Sequence, residues 1–269
     1  MASPPTEAFF RSVEKKLQKP AALFLDFDGT LVPIARTPDL AELDPQGRKL
    51  IRSLSRRLPL VIVSGRSIRD VRSRVGVSGV SYVGNHGLEI TGASLKYRMK
   101  GADEWIRFLR SLAGKLHRDL DGIPGIMVEE KRLSLSVHYR LAGRDARRKA
   151  LRLFSDRVKN HRDGRRIRVS HGKAVWEVRP PVRWDKGKAV QWILRQPGFR
   201  GRWPIYIGDD RTDQDALRAI RASGVGIAVA RPGEKGAAHY RMENPRMVRH
   251  FLKWLLGRVS NGRGGIRRV

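Results

Sequence analysis

The sequence predicts an α/β protein in which a doubly wound parallel sheet receives a smaller inserted α+β domain. Three observations carry that reading. Short apolar runs at 21–25, 60–63, 204–207 and 225–229 each stop abruptly at polar residues, as strands buried on both faces of a parallel sheet do. Segments with helical periodicity lie between them, at 44–58, 68–75, 186–195 and 213–222. The middle of the chain follows another rule: from 125 to 139 apolar and polar residues alternate, the pattern of antiparallel strands with one wet face.

Taken in order, the first run leads into a polar turn and then a helix opened by Asp44, an N-cap followed by Pro45 at the first helical position. The second run ends at Ser64-Gly65-Arg66, after which a short helix fills 68–75. Within the alternating stretch, Ile126, Val128, Leu133, Leu135 and Val137 are the apolar positions. Read as one strand over 128–139, it places Glu130, Ser134, His138 and Arg140 at one parity and so on one face. Lys131 has the opposite parity and needs a bulge or turn to join them. A basic amphipathic helix follows at 144–160, then a strand pair at 166–169 and 174–178, and Pro180-Pro181 ends the pattern. The inserted domain is thus expected at 99–181, with 1–98 and 182–269 forming the core. Short linkers on both sides would let it rock over the sheet. The Gly/Arg-rich stretch 257–269 reads as a mobile tail.

The chain has 269 residues and a mass of 30.5 kDa, enough for one sizeable core or two smaller ones. With 40% hydrophobic residues in regular spacing, it is not a disordered chain. No apolar run reaches the roughly 18 residues that cross a bilayer. Residues 1–20 mix Glu7, Glu14, Lys15 and Lys16 with Phe9 and Phe10 and contain no signal-peptide core. The expected location is the cytoplasm, with no membrane partner. The absence of cysteine excludes disulfides, thiolate zinc sites and cysteine nucleophiles. Against 56 Lys and Arg stand 26 Asp and Glu, a formal net charge of +30. Such a balance attracts anions, whether nucleic acid, anionic membrane or phosphorylated small molecules. Much of it sits singly on amphipathic stretches, as at Arg107, Arg110, Lys115 and Arg118, which reads as a solvated arginine-rich surface. Neither a helix-turn-helix, a zinc finger nor an aromatic RNA-binding motif accompanies it, so no specific nucleic-acid partner is expected.

In open α/β sheets, ligands bind beyond the carboxyl ends of the strands, and four chemical groupings fall there. Asp26-Phe27-Asp28-Gly29-Thr30 follows the first strand. Two carboxylates two residues apart on a continuing strand would point the same way. Side by side they repel, unless a cation lies between them or one is protonated. That suits a nucleophilic carboxylate paired with a general acid/base, with Mg²⁺ managing the charge. Ser64-Gly65-Arg66 offers a hydroxyl, a flexible turn and a cation to an anion. Asp185-Lys186-Gly187-Lys188 opens a helix whose lysine could reach a phosphate. Gly208-Asp209-Asp210-Arg211-Thr212-Asp213 gathers carboxylates suited to a hard divalent cation.

Together these four groupings resemble the motifs of the haloacid dehalogenase (HAD) superfamily of phosphatases. The resemblance implies a Rossmann-like HAD core with an inserted cap domain. It makes Asp26 the nucleophile that forms an aspartyl-phosphate, and Asp28 the general acid/base that protonates the leaving oxygen and then activates water. Ser64 and Lys186 would hold the transferring phosphoryl group. Mg²⁺ would sit on Asp26, the Asp28 main-chain carbonyl and Asp209, supported by Asp213 and Asp210. In the inserted domain, Glu130-Lys131-x-x-Ser134-x-x-x-His138-Tyr139-Arg140 and His171-Gly172-Lys173-x-x-x-Glu177-Val178-Arg179-Pro180 look like the trehalose-6-phosphate phosphatase family, as does Gly84-Asn85-His86-Gly87-Leu88-Glu89 in the core. That family implies a soluble sugar-phosphate substrate, a role in trehalose biosynthesis, and Glu130, Lys131 and Glu177 as sugar contacts. Ser134 and Arg140 join the candidate set, although Arg140 and His138 also fit cross-strand bracing. Arg66 and His86 either brace their loops or touch substrate. A monomer is expected. Rival readings are a phosphatase for another sugar phosphate, of the sucrose 6-phosphate or mannosyl-3-phosphoglycerate type, and a nucleic-acid-binding protein on the same scaffold. Neither the +30 charge nor the tail follows from the family pattern.

Overall fold

The computed structural model describes residues 7–16, 20–160, 167–231, 233–234 and 236–260. The chain divides into two compact units, one taking the described residues up to Tyr97 and from Trp184 onward, the other Arg98–Arg183.

In the first unit the elements run α1 (Glu7–Lys16), β1 (Ala21–Asp26), α2 (Pro45–Ser55), β2 (Leu60–Val63), α3 (Ile68–Val75), β3 (Ser81–Gly84), β4 (Glu89–Thr91) and β5 (Lys96–Arg98, whose last residue begins the second unit). The second unit contains α4 (Ala102–Leu120), β6 (Met127–Glu130), β7 (Leu135–His138), α5 (Arg144–Asn160), β8 (Arg168–Gly172) and β9 (Val175–Arg179). The first unit resumes with α6 (Lys186–Leu194), β10 (Trp203–Gly208), α7 (Asp213–Ile220), β11 (Val225–Val229), β12 (Tyr240–Met242) and α8 (Pro245–Ser260).

The sheet of the first unit has the order β12-β11-β10-β1-β2-β3-β4-β5. Its neighbours from β12 to β3 are all parallel, and β4 turns back antiparallel to β3. The apolar run of β1 is unbroken because both faces are covered. Ala21, Leu23 and Leu25 pack with α2, α3 and α8 residues such as Ile51, Val71 and Phe251, whereas Ala22 and Phe24 join Val190, Ile193 and Leu217 from α6 and α7. Chain order reverses between β1 and β10, so the crevice at their carboxyl ends is the topological switch point. Asp44 caps α2 by accepting from the Gly47 amide at 2.6 Å, with Pro45 at the first helical position.

The second unit is a four-stranded antiparallel sheet, β6-β7-β9-β8. One face buries Leu135, Val137, Trp176 and Val178, and the apolar sides of α4 and α5 contribute Leu109, Leu112, Leu116 and Phe154. The single strand expected over 128–139 is in fact a hairpin. Residues 131–134 form the turn, closed by the Lys131 amide on the Ser134 carbonyl, with Arg132 at φ 71°. Gly257–Ser260 is not tail but the last turn of α8. Residues 261–269, like Arg166 of the expected strand pair, lie outside the described residues. Among the described residues no helix is long and apolar enough to cross a membrane.

Candidate active site

Asp26 is the last residue of β1, almost wholly buried. Asp209 follows β10, and Asp213 opens α7 with no exposed surface. One oxygen from each of these three carboxylates lies within 4.8 Å of the others. Two glycines make the approach possible. A Cβ on Gly29, where φ is +82°, would fall 2.0 Å from Asp209 Oδ2, and one on Gly208 would fall 2.4 Å from Asp213 Cγ.

Lys186 enters from α6, whose N-cap Asp185 accepts from the Lys188 amide at 2.9 Å. Its ammonium donates to Asp26 Oδ1 at 2.8 Å and to Asp213 Oδ1 at 2.7 Å. Asp213 also accepts from the Tyr206 hydroxyl at 2.5 Å and from the Asp210 amide at 2.9 Å. Burial pushes the Asp26 carboxyl well above the usual range, reinforced by Asp213 and Asp209 and opposed by Lys186. For Lys186, burial works against the charge, but Asp213 and Asp26 outweigh it and hold the ammonium protonated beyond its ordinary range. Burial and Asp213 likewise raise the Tyr206 hydroxyl. One ammonium faces three carboxylates, so the cluster suits a divalent cation with oxygen ligands.

Asp28 does not share this cluster's bonding. Its carboxylate is held two-pronged by Arg66, from Nε and Nη2 at 2.7 Å each. Asp26 and Asp28, expected side by side on a continuing strand, have separate partners, Lys186 for the one and Arg66 for the other. The chain leaves β1 at Asp26 and folds into a turn in which the Gly29 amide reaches the Val32 carbonyl, so strand parity no longer governs Asp28. Arg66 also donates to Asp70 Oδ2 at 2.7 Å and to the Pro38 carbonyl at 2.8 Å. Burial opposes its charge, but Asp28 and Asp70 more than offset this and raise its pKa. Asp210 is turned to the Arg211 amide at 2.7 Å. Ser64 follows β2, is buried, and accepts from the Arg66 amide at 3.1 Å. His86 is buried beside it in left-handed backbone (φ 57°), its amide donating to the Ser64 carbonyl at 3.1 Å.

The second unit carries a polar cluster of its own. Register pairs Glu129 with Ser136 and Ser136 with Glu177, all on the face opposite the apolar one. Lys131, in the turn, places Nζ 3.5 Å from Glu177 Oε1 and 3.6 Å from Glu129 Oε2. Glu177 Oε1 accepts from Ser134 Oγ at 3.2 Å, and Glu129 Oε2 pairs with His138 Nε2 at 2.7 Å. Glu130 is not in this cluster: it pairs in register with Leu135 on the apolar face and reaches His117 Nε2 at 3.7 Å. The turn resets the parity, so Glu130 and Ser134 do not share a strand face, and sequence reading missed Glu129. Its signal was the adjacent hairpin, within which Glu129 rather than Glu130 opposes Ser136. Arg140 is exposed and donates to the Lys173 carbonyl at 2.7 Å.

The model of the Trehalose-phosphatase family matches residues 24–245. This chain belongs to the trehalose-phosphatase family. A trehalose 6-phosphate phosphatase of Zea mays is 34% identical over 258 residues, covering 88% of this chain and 70% of its own length. A trehalose-phosphate phosphatase of Mycobacterium marinum is 38% identical over 89% of this chain, but the match spans only 62% of that relative. Among solved structures, the C-terminal domain of the trehalose-6-phosphate phosphatase of C. albicans superposes with a TM-score of 0.79 over 95% of this chain and 99% of that one, at 22% identity. A trehalose-6-phosphate phosphatase related protein gives 0.78 over 90% of this chain and 99% of its own, at 25%. Trehalose-phosphate phosphatases are thus similar to this chain in sequence, and one of the solved structures is similar to it in fold.

Proposed function

We propose that this chain hydrolyses trehalose 6-phosphate to trehalose and phosphate through an aspartyl-phosphate on Asp26, with Mg²⁺ as cofactor. The observation that carries the reading is Lys186 clamped between Asp26 and Asp213, with Asp209 beside them, at the switch point of the sheet. Family membership supplies the substrate class.

Asp26, Asp209 and Asp213 would hold the metal, which when bound neutralises charge on the phosphoryl oxygens. Lys186 fixes the rotation of the Asp26 carboxylate, so that its oxygen meets phosphorus as the bond to the sugar oxygen breaks. Asp28 delivers a proton to that leaving oxygen. It then takes one from the water that attacks phosphorus and frees Asp26. Arg66 orients the Asp28 carboxyl group by gripping both of its oxygens. Ser64 donates its hydroxyl to the phosphoryl group. Residues 98–183 serve as the cap, and Glu129, Lys131 and Glu177 recognise sugar hydroxyls, whose unmatched hydrogen bonds would cost affinity. A cytoplasmic location fits a chain without cysteine.

The test is phosphate release from trehalose 6-phosphate, sucrose 6-phosphate, mannosyl-3-phosphoglycerate and p-nitrophenyl phosphate, each with Mg²⁺ and with EDTA. Selective release from trehalose 6-phosphate that EDTA stops supports the reading; preference for another sugar phosphate overturns the substrate. Asp26→Asn is expected to abolish turnover with the fold intact, and substantial residual activity would sink the covalent route.

A further inference from the structure

The turn at Asn85-His86-Gly87 lies between β3 and β4 and is left-handed at three successive residues, with φ of 47°, 57° and 108°. Such backbone is costly for Asn and His and persists only when its surroundings hold it. On one side it grips the loop that presents Ser64: the His86 amide donates to the Ser64 carbonyl and the Asn85 amide to the Arg66 carbonyl at 2.7 Å. The His86 ring covers Gly65 so closely that a Cβ there would lie 2.5 Å from the ring. On the other side it abuts the start of α6, where a Cβ on Gly87 would meet the Asp185 carbonyl oxygen at 2.7 Å. Within the turn the Asn85 side-chain amide also donates to Glu89 Oε1 at 2.7 Å, and from the α6 side Trp184 donates its indole N–H to the Gly87 carbonyl at 2.7 Å. Its ring is stacked on Tyr97 at 4.6 Å and 16°.

We propose that Trp184 is a positioning residue for the phosphate-binding groups: it fixes the turn at 85–87, and through that turn holds Ser64 and Lys186 in one arrangement. The proposal rests on the phosphatase reading above. Trp184 stands two residues before Lys186 in the chain, and its hydrogen bond ties that stretch to a turn whose next residue back contacts Ser64. The two groups thus share one support. A ring that merely filled space would need no donor, whereas this N–H ends on the carbonyl of Gly87, the residue that follows the strained pair Asn85 and His86. Tyr97 and Trp184 are also the residues at which the chain leaves and re-enters the first unit. Their stack anchors both crossings to the same support.

Trp184→Phe keeps a stacking ring and removes the donor. Per folded enzyme, kcat is expected to fall about tenfold on both trehalose 6-phosphate and p-nitrophenyl phosphate, since small misplacements of positioned groups cost rate. KM for trehalose 6-phosphate should stay close to that of the parent. Tyr97→Ala, which frees the ring but leaves the N–H, should lower kcat in the same direction by less. Parental kcat in both variants overturns the proposal. A lowered Tm with unchanged kcat per folded molecule, or a rise confined to KM for trehalose 6-phosphate, overturns it too. If the parent cleaves p-nitrophenyl phosphate but not trehalose 6-phosphate, the substrate reading fails, while the p-nitrophenyl phosphate comparison still decides the role of Trp184.

Discussion

Lys186 and Asp26 are 160 positions apart in sequence and form a buried ion pair at 2.8 Å. Taking such charges out of water is costly, and removing one partner leaves the others uncompensated. Lys186→Met is therefore expected to destabilise the protein by about 3–5 kcal/mol, read as a lower urea midpoint in EDTA. A second prediction separates neighbouring glutamates. Glu129 lies with Lys131 and Glu177, while Glu130, on the other face, lies beside His117 of α4. Glu129→Ala should raise KM for trehalose 6-phosphate about tenfold or more and leave p-nitrophenyl phosphate hydrolysis unchanged, whereas Glu130→Ala should alter neither. The reverse pattern would restore Glu130 to the sugar site. Asp26, Ser64 and Lys186 were visible in sequence because each ends or begins an element that composition marks. The pairing of Asp28 with Arg66 was not, because a turn rather than a strand carries Asp28.

At the scale of elements, Asp44 illustrates a cap whose contribution depends on pH. Its hydrogen bond from the Gly47 amide lowers its pKa, partial burial opposes this, and Arg249 assists. A carboxyl lowered in the folded state stabilises above its unfolded pKa, about 3.9, and that gain is lost as pH falls through the folded value. Asp44→Ala should cost about 1 kcal/mol at neutral pH. Asp44→Asn, which caps without titrating, should flatten the loss of stability below about pH 4; identical acid curves for parent and Asn variant would remove Asp44 from the account. The strands and helices that flank the site were legible because buried parallel strands are uniformly apolar. Less legible were β4, β5 and β12, three residues each, too short for any period to register. The hairpin at 131–134 was hidden for another reason: Arg132 supplies a left-handed conformation that usually announces itself as Gly or Asn.

For the whole molecule, the charge of +30 remains larger than a sugar-phosphate site requires. The outer surfaces of α4 and α5 show where some of it resides: Arg107, Arg110, Arg118, Arg144, Arg148 and Arg152 are all exposed. A solvated surface of this kind should bind DNA of any sequence at low salt and release it steeply as salt rises. A filter-binding titration from 50 to 200 mM salt checks this, and binding that survives the higher concentration would point to a dedicated nucleic-acid site.

Among the described residues, the first and last helices, α1 and α8, are joined. Phe9 and Phe10 pack on Phe251, Phe10 on Trp254, and Arg258 pairs with Glu14 at 3.2 Å. Contacts near the start of α1 thus meet the middle of α8, and those near its end meet the end of α8, so the two helices run side by side in the same direction. Tension applied at Glu7 and Ser260 would load this pair along its length. That is a shearing load, in which the aromatic contacts and the ion pair resist together and give way together. Stretched in an optical trap, the molecule should hold until this clasp fails in one step, with the sheet of the core exposed to force only afterwards.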